Sequence, residues 1–317
     1  MAVLLPYSLG HHASWFRSCW TTTSNAFNNH QQAMGSTTQY QVPPHTAQIK
    51  VTFPVEHVML LTFNHPKSLN AMTPEMDESI ERVLDWVENE PSLWVTIVTG
   101  EGRAFCAGAD LIAWNRRAQS TKTPESECRD VELKTNGFGS ISRRQGSVKP
   151  IIAAVNGGAF GGGVEMIVNC DLVIAAEDAT LATPEVKRGV VAIMGAIPRL
   201  SRIAGHQLAS EMLLLGRNLT AQEAARFGFV NKVVPKAEVL PTAIEWAKKL
   251  CQNSPDAVQS TKKALMLAQQ LGDVEDVVVA HTRSKEMLRV YAGENIKNGL
   301  KAFAEKRKPV WTNPAKL

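Results

Sequence analysis

The chain has 317 residues, of which 44% are hydrophobic and 20% charged; at a typical ~150 residues per domain this is about two domains, enough for a large buried core. This composition excludes a disordered or fibrous protein and is typical of an ordinary soluble globular one. The net charge of +4 comes from 34 basic and 30 acidic side chains, and so small a surplus argues against nucleic acid as a main partner.

The first 47 residues carry a single charged side chain, Arg17, and are rich in Ser, Thr, Asn, Gln and His. Such a segment buries too little apolar surface to offset its ordering entropy, so we predict a disordered tail. Its lack of acids and its serines fit a mitochondrial presequence, whereas one arginine does not. Translation that starts at Met34, after an extension of the gene model, is the alternative, and the sequence leaves both open.

Residues 48–234 alternate strand-like and helix-like patterns. Short apolar or β-branched runs bounded by turn residues predict strands at Val58–Phe63, Leu93–Thr99, Pro150–Val155 and Asp171–Ala176. Thr73 and Pro74 predict the start of a helix after the first strand. Its predicted apolar face consists of Met76, Ile80, Val83, Leu84 and Val87. Strands that alternate with helices indicate an α/β core with buried parallel strands.

The C-terminal part, residues 235–317, reads as all helical to about Ala304, with breaks at Pro255 and Gly272. Just before it, Thr220 and Glu223 form a capping box that begins one more helix. The chain therefore divides into a tail (1–47), a core (48–234) and a helical module (235–317). The module holds 14 basic and 9 acidic residues, so the positive surplus lies there, while the core has a net charge of −2.

Two glycine-containing segments follow predicted strands, at Gly100–Leu111 and Asn156–Met166. In the second, three consecutive glycines, Gly161–Gly163, let the backbone approach a ligand, and the helix start supplies unpaired N–H groups. Such groups suit an anion or an oxygen that becomes one. The spacing matches neither G-x-x-x-x-G-K-[ST] nor G-x-G-x-x-G, so phosphate-binding loops fit badly. Tight packing of helix on strand is the alternative use of these glycines, and this segment alone does not decide.

Taken in order, these segments resemble the crotonase superfamily, also called the enoyl-CoA hydratase/isomerase family, from about residue 50 to 311. A single motif would be weak, but the ordered set is highly specific. The matching motifs are Asn64–Pro66 with Leu69–Met72, Phe105–Leu111, Gly161–Gly163, Thr183–Glu185, Gly216, the Thr220–Gly228 helix and Lys306–Trp311.

The resemblance implies a spiral of ββα turns, a C-terminal helical trimerisation module and an acyl-CoA thioester as substrate, with no cofactor beyond the CoA of that substrate. The assembly it implies is a homotrimer or a dimer of trimers. By motif position, the backbone N–H groups of Ala109 and Gly162 are the oxyanion-hole donors, which stabilise charge on the thioester oxygen. The residues it implies for binding substrate and CoA are Lys67, Leu69, Ala71, Ala107, Asp110, Leu111 and Gly161.

Two carboxylates stand where hydratases of this family carry glutamates: Glu165 in the first turn of the glycine-led helix, and Glu185 in a later loop. A pair of carboxylates can hold one water and exchange its proton, which is general acid–base work. An apolar pocket raises the pKa of at least one of them, whereas the helix N-terminus lowers that of Glu165. Which residue is the acid and which the base stays open.

We therefore predict an enoyl-CoA hydratase that adds water across the 2,3 double bond of a trans-2-enoyl-CoA, in fatty-acid or related acyl-CoA metabolism. An enoyl-CoA isomerase, or another CoA-thioester lyase on the same fold, is the alternative. A catalytically weak relative that binds RNA or acyl-CoA is a third, against which the near-neutral core speaks. In this sequence Ile193 and Met194 replace a glycine-rich stretch, which leaves the acyl chain open, and Trp114 either lines that pocket or packs in the core.

The remaining motifs are interpreted as a targeting signal or as residues with structural roles. The C-terminal Ala315-Lys316-Leu317 resembles the S-K-L peroxisomal signal and predicts a peroxisomal protein, with the mitochondrion as the alternative. Cys106 and Cys170 lie in apolar runs and are predicted to be core residues. The five cysteines never form a C-x-x-C pair, and the histidines lack metal-ligand spacing, so no metal is expected. No apolar run is long and uncharged enough for a membrane span. Lys306–Lys308 is either a solvated helix end or a contact to the CoA phosphates.

Overall fold

The core is built on a six-stranded sheet, seen in a computed structural model that describes residues 40–111, 115 and 123–316. The strands lie in the order β1-β2-β3-β5-β7-β10. The first two are an antiparallel pair, and every later pairing in this sheet is parallel. The strands are β1 (Ile49–Val55), β2 (Val58–Phe63), β3 (Val95–Gly100), β5 (Ile151–Val155), β7 (Leu172–Ala176) and β10 (Lys232–Val234).

A second, four-stranded sheet has the order β4-β6-β8-β9 and consists of three-residue strands. These are β4 (Ala104–Cys106), β6 (Gly158–Phe160), β8 (Thr180–Ala182) and β9 (Asn218–Thr220). Each of β3, β5 and β7 in the large sheet is followed along the chain by a short strand of the small one. The chain thus repeats one step, a long strand and then a short strand, in agreement with the ββα spiral that the family resemblance implies.

Helices fill the connections and the C-terminal part. They are α1 (Pro74–Asn89), α2 (Pro124–Leu133), α3 (Gly162–Ile167), α4 (Ala196–Ala204), α5 (His206–Leu215), α6 (Ala221–Arg226), α7 (Val239–Cys251), α8 (Pro255–Gln270), α9 (Val274–Thr282), α10 (Lys285–Ala292) and α11 (Glu294–Ala304). Short 3₁₀ turns occur at Pro66–Ser68, Phe138–Ser140, Glu185–Arg188 and Lys236–Glu238. In the described part of the chain, no helix combines the length and apolar character needed to cross a membrane.

Local sequence signals place the helix starts correctly. Thr73 Oγ1 accepts a hydrogen bond from the Met76 N–H at 3.2 Å, and Pro74 is the first residue of α1. The predicted apolar face of this helix is buried throughout. At α6, Thr220 and Glu223 form the capping box in both directions.

The predicted strand at Leu93–Thr99 begins later, at Val95, and runs to Gly100. The reason is a turn: the N–H of Leu93 binds the carbonyl of Glu90 at 3.1 Å, and the N–H of Trp94 binds that of His57 at 2.8 Å. These bonds hold both residues outside the sheet ladder. Their side chains are nonetheless buried, which explains why the hydrophobic pattern includes them.

The helical module packs on the sheet. Helix α7 contacts β3, β5 and β7 of the large sheet. Because the helix covers these strands, every residue of β3 and β5 is buried. The residues from Val42 onward form one compact unit. Residues 1–39 of the predicted tail lie outside the described residues, and so do Trp114 and Leu317.

An ion pair between the buried Lys262 and the more exposed Asp171 joins α8 to the large sheet. Lys262 Nζ lies 2.8 Å from Asp171 Oδ2 and donates to the Lys149 carbonyl, also at 2.8 Å. The side chain of Lys262 is 9% exposed, and Asp171 Oδ2 also accepts the N–H of Ile151 at 2.7 Å. Because the carboxylate stands directly before β7 and binds the first residue of β5, this one lysine links a helix of the module to two adjacent strands.

We expect Lys262→Met to destabilise the protein by about 3 kcal/mol, because it leaves a partly buried carboxylate without its cation. The matched control is Lys249→Met, since Lys249 pairs with Glu245 on the surface of α7, where both side chains are more than half exposed. Urea unfolding followed by circular dichroism measures the free energy of unfolding of each variant. Equal values for the two variants would contradict the proposed linkage.

Candidate active site

The first glycine segment ends in a turn that frees one backbone N–H. Gly108 has φ +90°, and a Cβ there would lie 2.8 Å from the carbonyl oxygen of Phe160. Met72 pairs with Ala109 as a parallel bridge: the Met72 N–H binds the Gly108 carbonyl at 2.9 Å, and the Asp110 N–H reaches the Met72 carbonyl at 3.4 Å. In such a bridge the N–H of Ala109 itself points away from the partner strand. Within the described residues it makes no backbone hydrogen bond.

The second glycine segment begins helix α3. Gly161 caps the helix with φ +55°, a conformation that favours glycine. Gly162 is the first helical residue, so its N–H has no acceptor inside the helix. A Cβ on Gly162 would lie 2.4–2.5 Å from the ring of Phe138, and a Cβ on Gly108 would lie 3.6 Å from the Gly162 nitrogen. The two glycine turns therefore pack against each other, and the sequence-predicted N–H donors at Ala109 and Gly162 lie in adjoining turns.

The carboxyl group of Glu165 is buried one turn into α3. The residue is 3% exposed, and its Oε1 accepts a hydrogen bond from the Ala196 N–H at 3.2 Å. Burial raises the pKa of Glu165 to about 7, and the negative charge of Glu185 acts in the same direction. Hydrogen bonds from Ala196 and Met194 and the charge of Arg199 oppose this rise. The expected lowering of this pKa by the helix N-terminus is thus outweighed by burial.

Glu185 approaches the same helix start from the small sheet. It begins a 3₁₀ turn, where the sequence predicted a loop, directly after β8 and Pro184. A Cβ on Gly161 would lie 2.8 Å from Glu185 Oε1, so the carboxyl group touches the Gly161 turn. Its Oε2 is buried and has no hydrogen-bond partner in the described structure, and burial raises its pKa. An unsatisfied buried carboxyl oxygen is costly unless a ligand or water occupies the adjoining space.

A short segment between α2 and β5 forms the apolar wall of the site. The ring of Phe138 covers Gly162, and the side chains of Met166 and Met72 surround Gly139, where a Cβ would lie 2.3 Å and 3.1 Å from them. Ser142 Oγ donates to the Met194 carbonyl at 2.6 Å and accepts from the Phe138 N–H at 2.8 Å. This hydroxyl joins the wall over Gly162 to the backbone that binds Glu165. Sequence reasoning did not identify Phe138 or Ser142, because neither lies in a recognisable motif.

The residues predicted for CoA binding form one neighbourhood beside these turns. The N–H of Ala107 binds the Leu69 carbonyl at 2.9 Å, which brings the Leu69–Met72 motif against the first glycine turn. Leu69 and Asn70 both have positive φ, 53° and 57°. The predicted residues differ in exposure: Gly161 is buried; Leu69, Ala71, Ala107 and Asp110 are half-buried; Lys67 and Leu111 are exposed. The set thus spans the path from solvent to the helix start.

Asn70 is the residue that fixes this neighbourhood. Its side chain is fully buried; Oδ1 accepts the His65 N–H at 2.9 Å, and Nδ2 donates to the carbonyls of Glu101 at 3.0 Å and Ala104 at 2.8 Å. It ties the Pro66–Ser68 turn to the strand that leads to Gly108. The sequence showed Asn70 inside a motif but carried no signal of this bridging role.

Two cysteines and two histidines outside this site have structural roles. Burial raises the pKa of the Cys106 thiol to about 12 and also raises that of Cys170, so both stay protonated. Cys106 is buried, as predicted for a core residue, whereas Cys170 is only half-buried. His57 stacks on Trp94 with ring centroids 3.6 Å apart, and His281 bonds Ser260 at 2.9 Å. No cluster of metal-ligating side chains occurs among the residues that the structure describes.

Comparison with known proteins assigns the chain to a family. The family model described as enoyl-CoA hydratase/isomerase matches residues 55–314. A mevalonyl-coenzyme A hydratase of Aspergillus fumigatus is 42% identical, over 84% of this chain and 95% of its own. A protein of Dictyostelium discoideum named "Probable enoyl-CoA hydratase, mitochondrial" is 35% identical, over 81% of this chain and 88% of its own. The crystal structure of an enoyl-CoA hydratase from Bacillus anthracis superposes with a TM-score of 0.74 and 32% identity, over 83% of this chain and 98% of that one.

We expect the buried Glu165 to give the free energy of unfolding a characteristic pH dependence. Between about pH 5 and pH 7 the folded protein retains a proton on Glu165 that the unfolded chain has released, so this residue's contribution to stability falls as pH rises through that range. The contribution amounts to up to about 3 kcal/mol. Glu165→Gln removes it, so the variant should gain stability relative to wild type between pH 5 and pH 7.5.

Urea unfolding at the two pH values measures this difference. Glu177→Gln is the matched control, since Glu177 is exposed and is expected to follow wild type at both. An identical pH dependence in wild type and Glu165→Gln would show that Glu165 is not protonated in the folded state.

Proposed function

The chain belongs to the enoyl-CoA hydratase/isomerase family, and on this premise we propose that it is an enoyl-CoA hydratase in which Glu165 and Glu185 handle the water. It is a hydro-lyase of acyl-CoA metabolism, which adds water across the 2,3 double bond of a trans-2-enoyl-CoA or removes it in reverse. The observation that carries the assignment of residues is that two carboxyl groups with raised pKa, the buried one of Glu165 and the half-buried one of Glu185, both lie at the start of α3.

The proposed reaction divides one water between two carbons. The water oxygen bonds to C3, and one of the water protons passes to the ionised carboxylate. The protonated carboxyl group gives its proton to C2, which completes the addition of hydroxyl and hydrogen. Transfer of a proton between the two carboxyl groups then restores their starting protonation states. One group must therefore be protonated and the other ionised. A pKa near 7 for Glu165 and a like charge on Glu185 favour a single shared proton at neutral pH.

The proposed oxyanion hole stabilises the charge that this addition creates. Attack at C3 pushes negative charge onto the thioester oxygen as an enolate. The N–H groups of Ala109 and Gly162 belong to adjoining turns, and neither has a backbone acceptor in the described structure. The α3 dipole adds to the effect at Gly162. Loss of one such donor typically costs ~10²–10³ in rate.

The CoA part of the substrate is the only cofactor-like group that this proposal needs. We assign its binding to the neighbourhood of Lys67, Leu69, Ala71, Ala107 and Asp110, continued at Leu111 and Gly161. The exposed end of this set faces solvent, where a large polar carrier fits, and the buried end meets the reacting groups. Lys306–Lys308 stays either a solvated helix end or a contact to the CoA phosphates. The ion pair of Arg307 with Glu305 at 2.7 Å favours the solvated helix end.

For the acyl group we propose a branched, hydroxyl-bearing chain of the mevalonyl type, rather than a straight fatty chain. The support is the relative named a mevalonyl-coenzyme A hydratase, which is 42% identical, against 35% for the Dictyostelium relative, whose name specifies no acyl group. With such a thioester the reaction runs as the loss of the C3 hydroxyl and a C2 proton, or its reversal.

We expect Glu165→Gln and Glu185→Gln each to lower kcat for hydration of crotonyl-CoA by at least about 10²-fold, because an amide neither accepts nor delivers the proton. The assay follows the loss of the conjugated thioester absorbance. Glu177→Gln is the matched control, being an exposed glutamate on the loop after β7, and should keep wild-type kcat.

Two results would contradict the assignment. Full activity in both variants would remove the two carboxylates from the mechanism. Exchange of solvent deuterium into C2 with a shifted double bond, and no hydrated product, would instead identify an isomerase.

A homotrimer or a dimer of trimers is proposed as the assembly. The helical module displays large apolar side chains that a partner surface would cover: Val274, Tyr291, Leu300, Phe303 and Val310, with Phe303 86% exposed. Patches of this kind on a soluble chain mark interaction sites. They lie on α9, α10 and α11 and just beyond, on the module that the family resemblance assigns to assembly.

We propose a peroxisomal location, directed by Ala315-Lys316-Leu317, with the mitochondrion as the alternative. The mitochondrial wording in the Dictyostelium protein's name favours the latter. A fluorescent protein fused ahead of residues 300–317 is expected to enter peroxisomes, and the same fusion without Leu317 to remain outside. Uptake that is independent of Leu317, or a full-length protein found in mitochondria, would contradict the peroxisomal proposal.

A further inference from the structure

A cavity of about 400 Å³ lies beside the proposed active site and is not used by the mechanism above. It opens between α2, the segment that follows the Phe138–Ser140 turn, and the start of α4. The residues that line it are Cys128, Val131, Glu132, Arg143, Gln145, Ile193, Gly195, Pro198 and Arg199.

The wall of this cavity is also the backbone that holds Glu165. Gly195 and Ile193 line the cavity, and the N–H of Ala196, the next residue, donates to Glu165 Oε1 at 3.2 Å. One peptide therefore separates the carboxyl group from the cavity. The cavity therefore lies on the α4 side of Glu165.

The chemistry of the cavity is that of a hydrogen-bond donor. Arg199 Nε is buried without a hydrogen-bond partner in the described residues, and its Nη1 makes only a long contact of 3.4 Å to the Gly195 carbonyl. Arg143 donates through Nη1 to the Val131 carbonyl at 2.7 Å. In the part of the chain that the structure describes, neither guanidinium forms an ion pair within 4.0 Å; the cavity's one carboxylate, on Glu132, is exposed.

The electrostatic surroundings of Arg199 also favour a hydrogen-bond-accepting ligand oxygen beside its guanidinium group. Burial lowers its pKa, and the like charges of Arg202 and Arg143 act in the same direction, whereas Glu165 opposes them. A buried donor that stays unpaired costs free energy, which a ligand oxygen would recover and a methyl group would not. Sites built on such donors reject analogues that lack the oxygen.

We propose that this cavity receives the distal end of the acyl chain, and that Arg199 and Arg143 select a chain ending in a hydrogen-bond-accepting oxygen. The inference rests on the proposed hydratase function and adds two specificity-determining residues to it. The chain must be short, because the cavity begins one peptide from Glu165. A hydroxyl group and a carboxylate share the required chemistry, and the experiment separates them.

The test compares three five-carbon thioesters that differ only at C5: trans-2-pentenoyl-CoA, 5-hydroxy-trans-2-pentenoyl-CoA and trans-glutaconyl-CoA, which ends in a carboxylate. We expect wild type to prefer at least one oxygen-bearing thioester over pentenoyl-CoA in kcat/KM. Arg199→Met and Arg143→Met should each reduce that preference by about 10–100-fold, mainly through KM, and Arg199→Lys should restore part of it.

Arg202→Met is the matched control. It removes the same charge from the same helix, but Arg202 is exposed and is absent from the cavity lining, so the preference should stay at the wild-type value. Its inclusion distinguishes contact with the chain end from a general change of field around Glu165. Thermal unfolding of each variant establishes that it is folded.

The outcomes separate this inference from the function on which it rests. Absence of hydration of crotonyl-CoA and of all three five-carbon thioesters by wild type would overturn the proposed function itself. Hydration with equal or greater kcat/KM for pentenoyl-CoA than for both oxygen-bearing thioesters would overturn only the cavity assignment, as would a preference unchanged in both arginine variants. A preference confined to glutaconyl-CoA identifies an anionic chain end, and one confined to the hydroxyl thioester a neutral one.

Discussion

The burial of Glu165 is the constraint on which the arrangement of the site depends. A carboxyl group that is 3% exposed must be hydrogen-bonded or protonated, and the chain meets this demand with the backbone N–H of Ala196. That bond requires the start of α4 to lie over α3, and Ser142 fixes the same backbone from the other side. The position of the wall, the start of α4 and the adjoining cavity therefore all follow from one buried acid.

The sequence predicted the starts of helices α1 and α6 correctly but did not predict the three-residue strands of the small sheet. The start of α1 and the capping box of α6 depend on residues three positions apart, so their chemistry is legible in the sequence. The strands β4, β6, β8 and β9 have three residues each, too few for any periodicity to register. Leu93 was assigned to a strand because burial, not ladder bonding, sets the hydrophobic pattern.

The residues of the candidate site likewise fall into those that the sequence identified and those that it did not. Glu165 and Glu185 were identified through family motifs, yet their meeting arises from the turn of chain through β7 and β8, which brings residues twenty positions apart to one helix start. Phe138, Ser142 and Arg199 carried no signal, because each acts only through a tertiary neighbour. The net effect on the pKa of Glu165 was equally out of reach, since it depends on a balance between burial and three opposing contacts.

The parallel bridge between Met72 and Ala109 has an evolutionary consequence. The proposed donors at Ala109 and Gly162 are main-chain atoms, so the genetic code does not specify them directly; what is encoded is the path of the backbone. Any residue except proline at position 109 keeps this donor, whereas a substitution at Arg143 or Arg199 changes the lining of the cavity directly. A scaffold of this kind can keep its chemistry constant while it acquires new substrates.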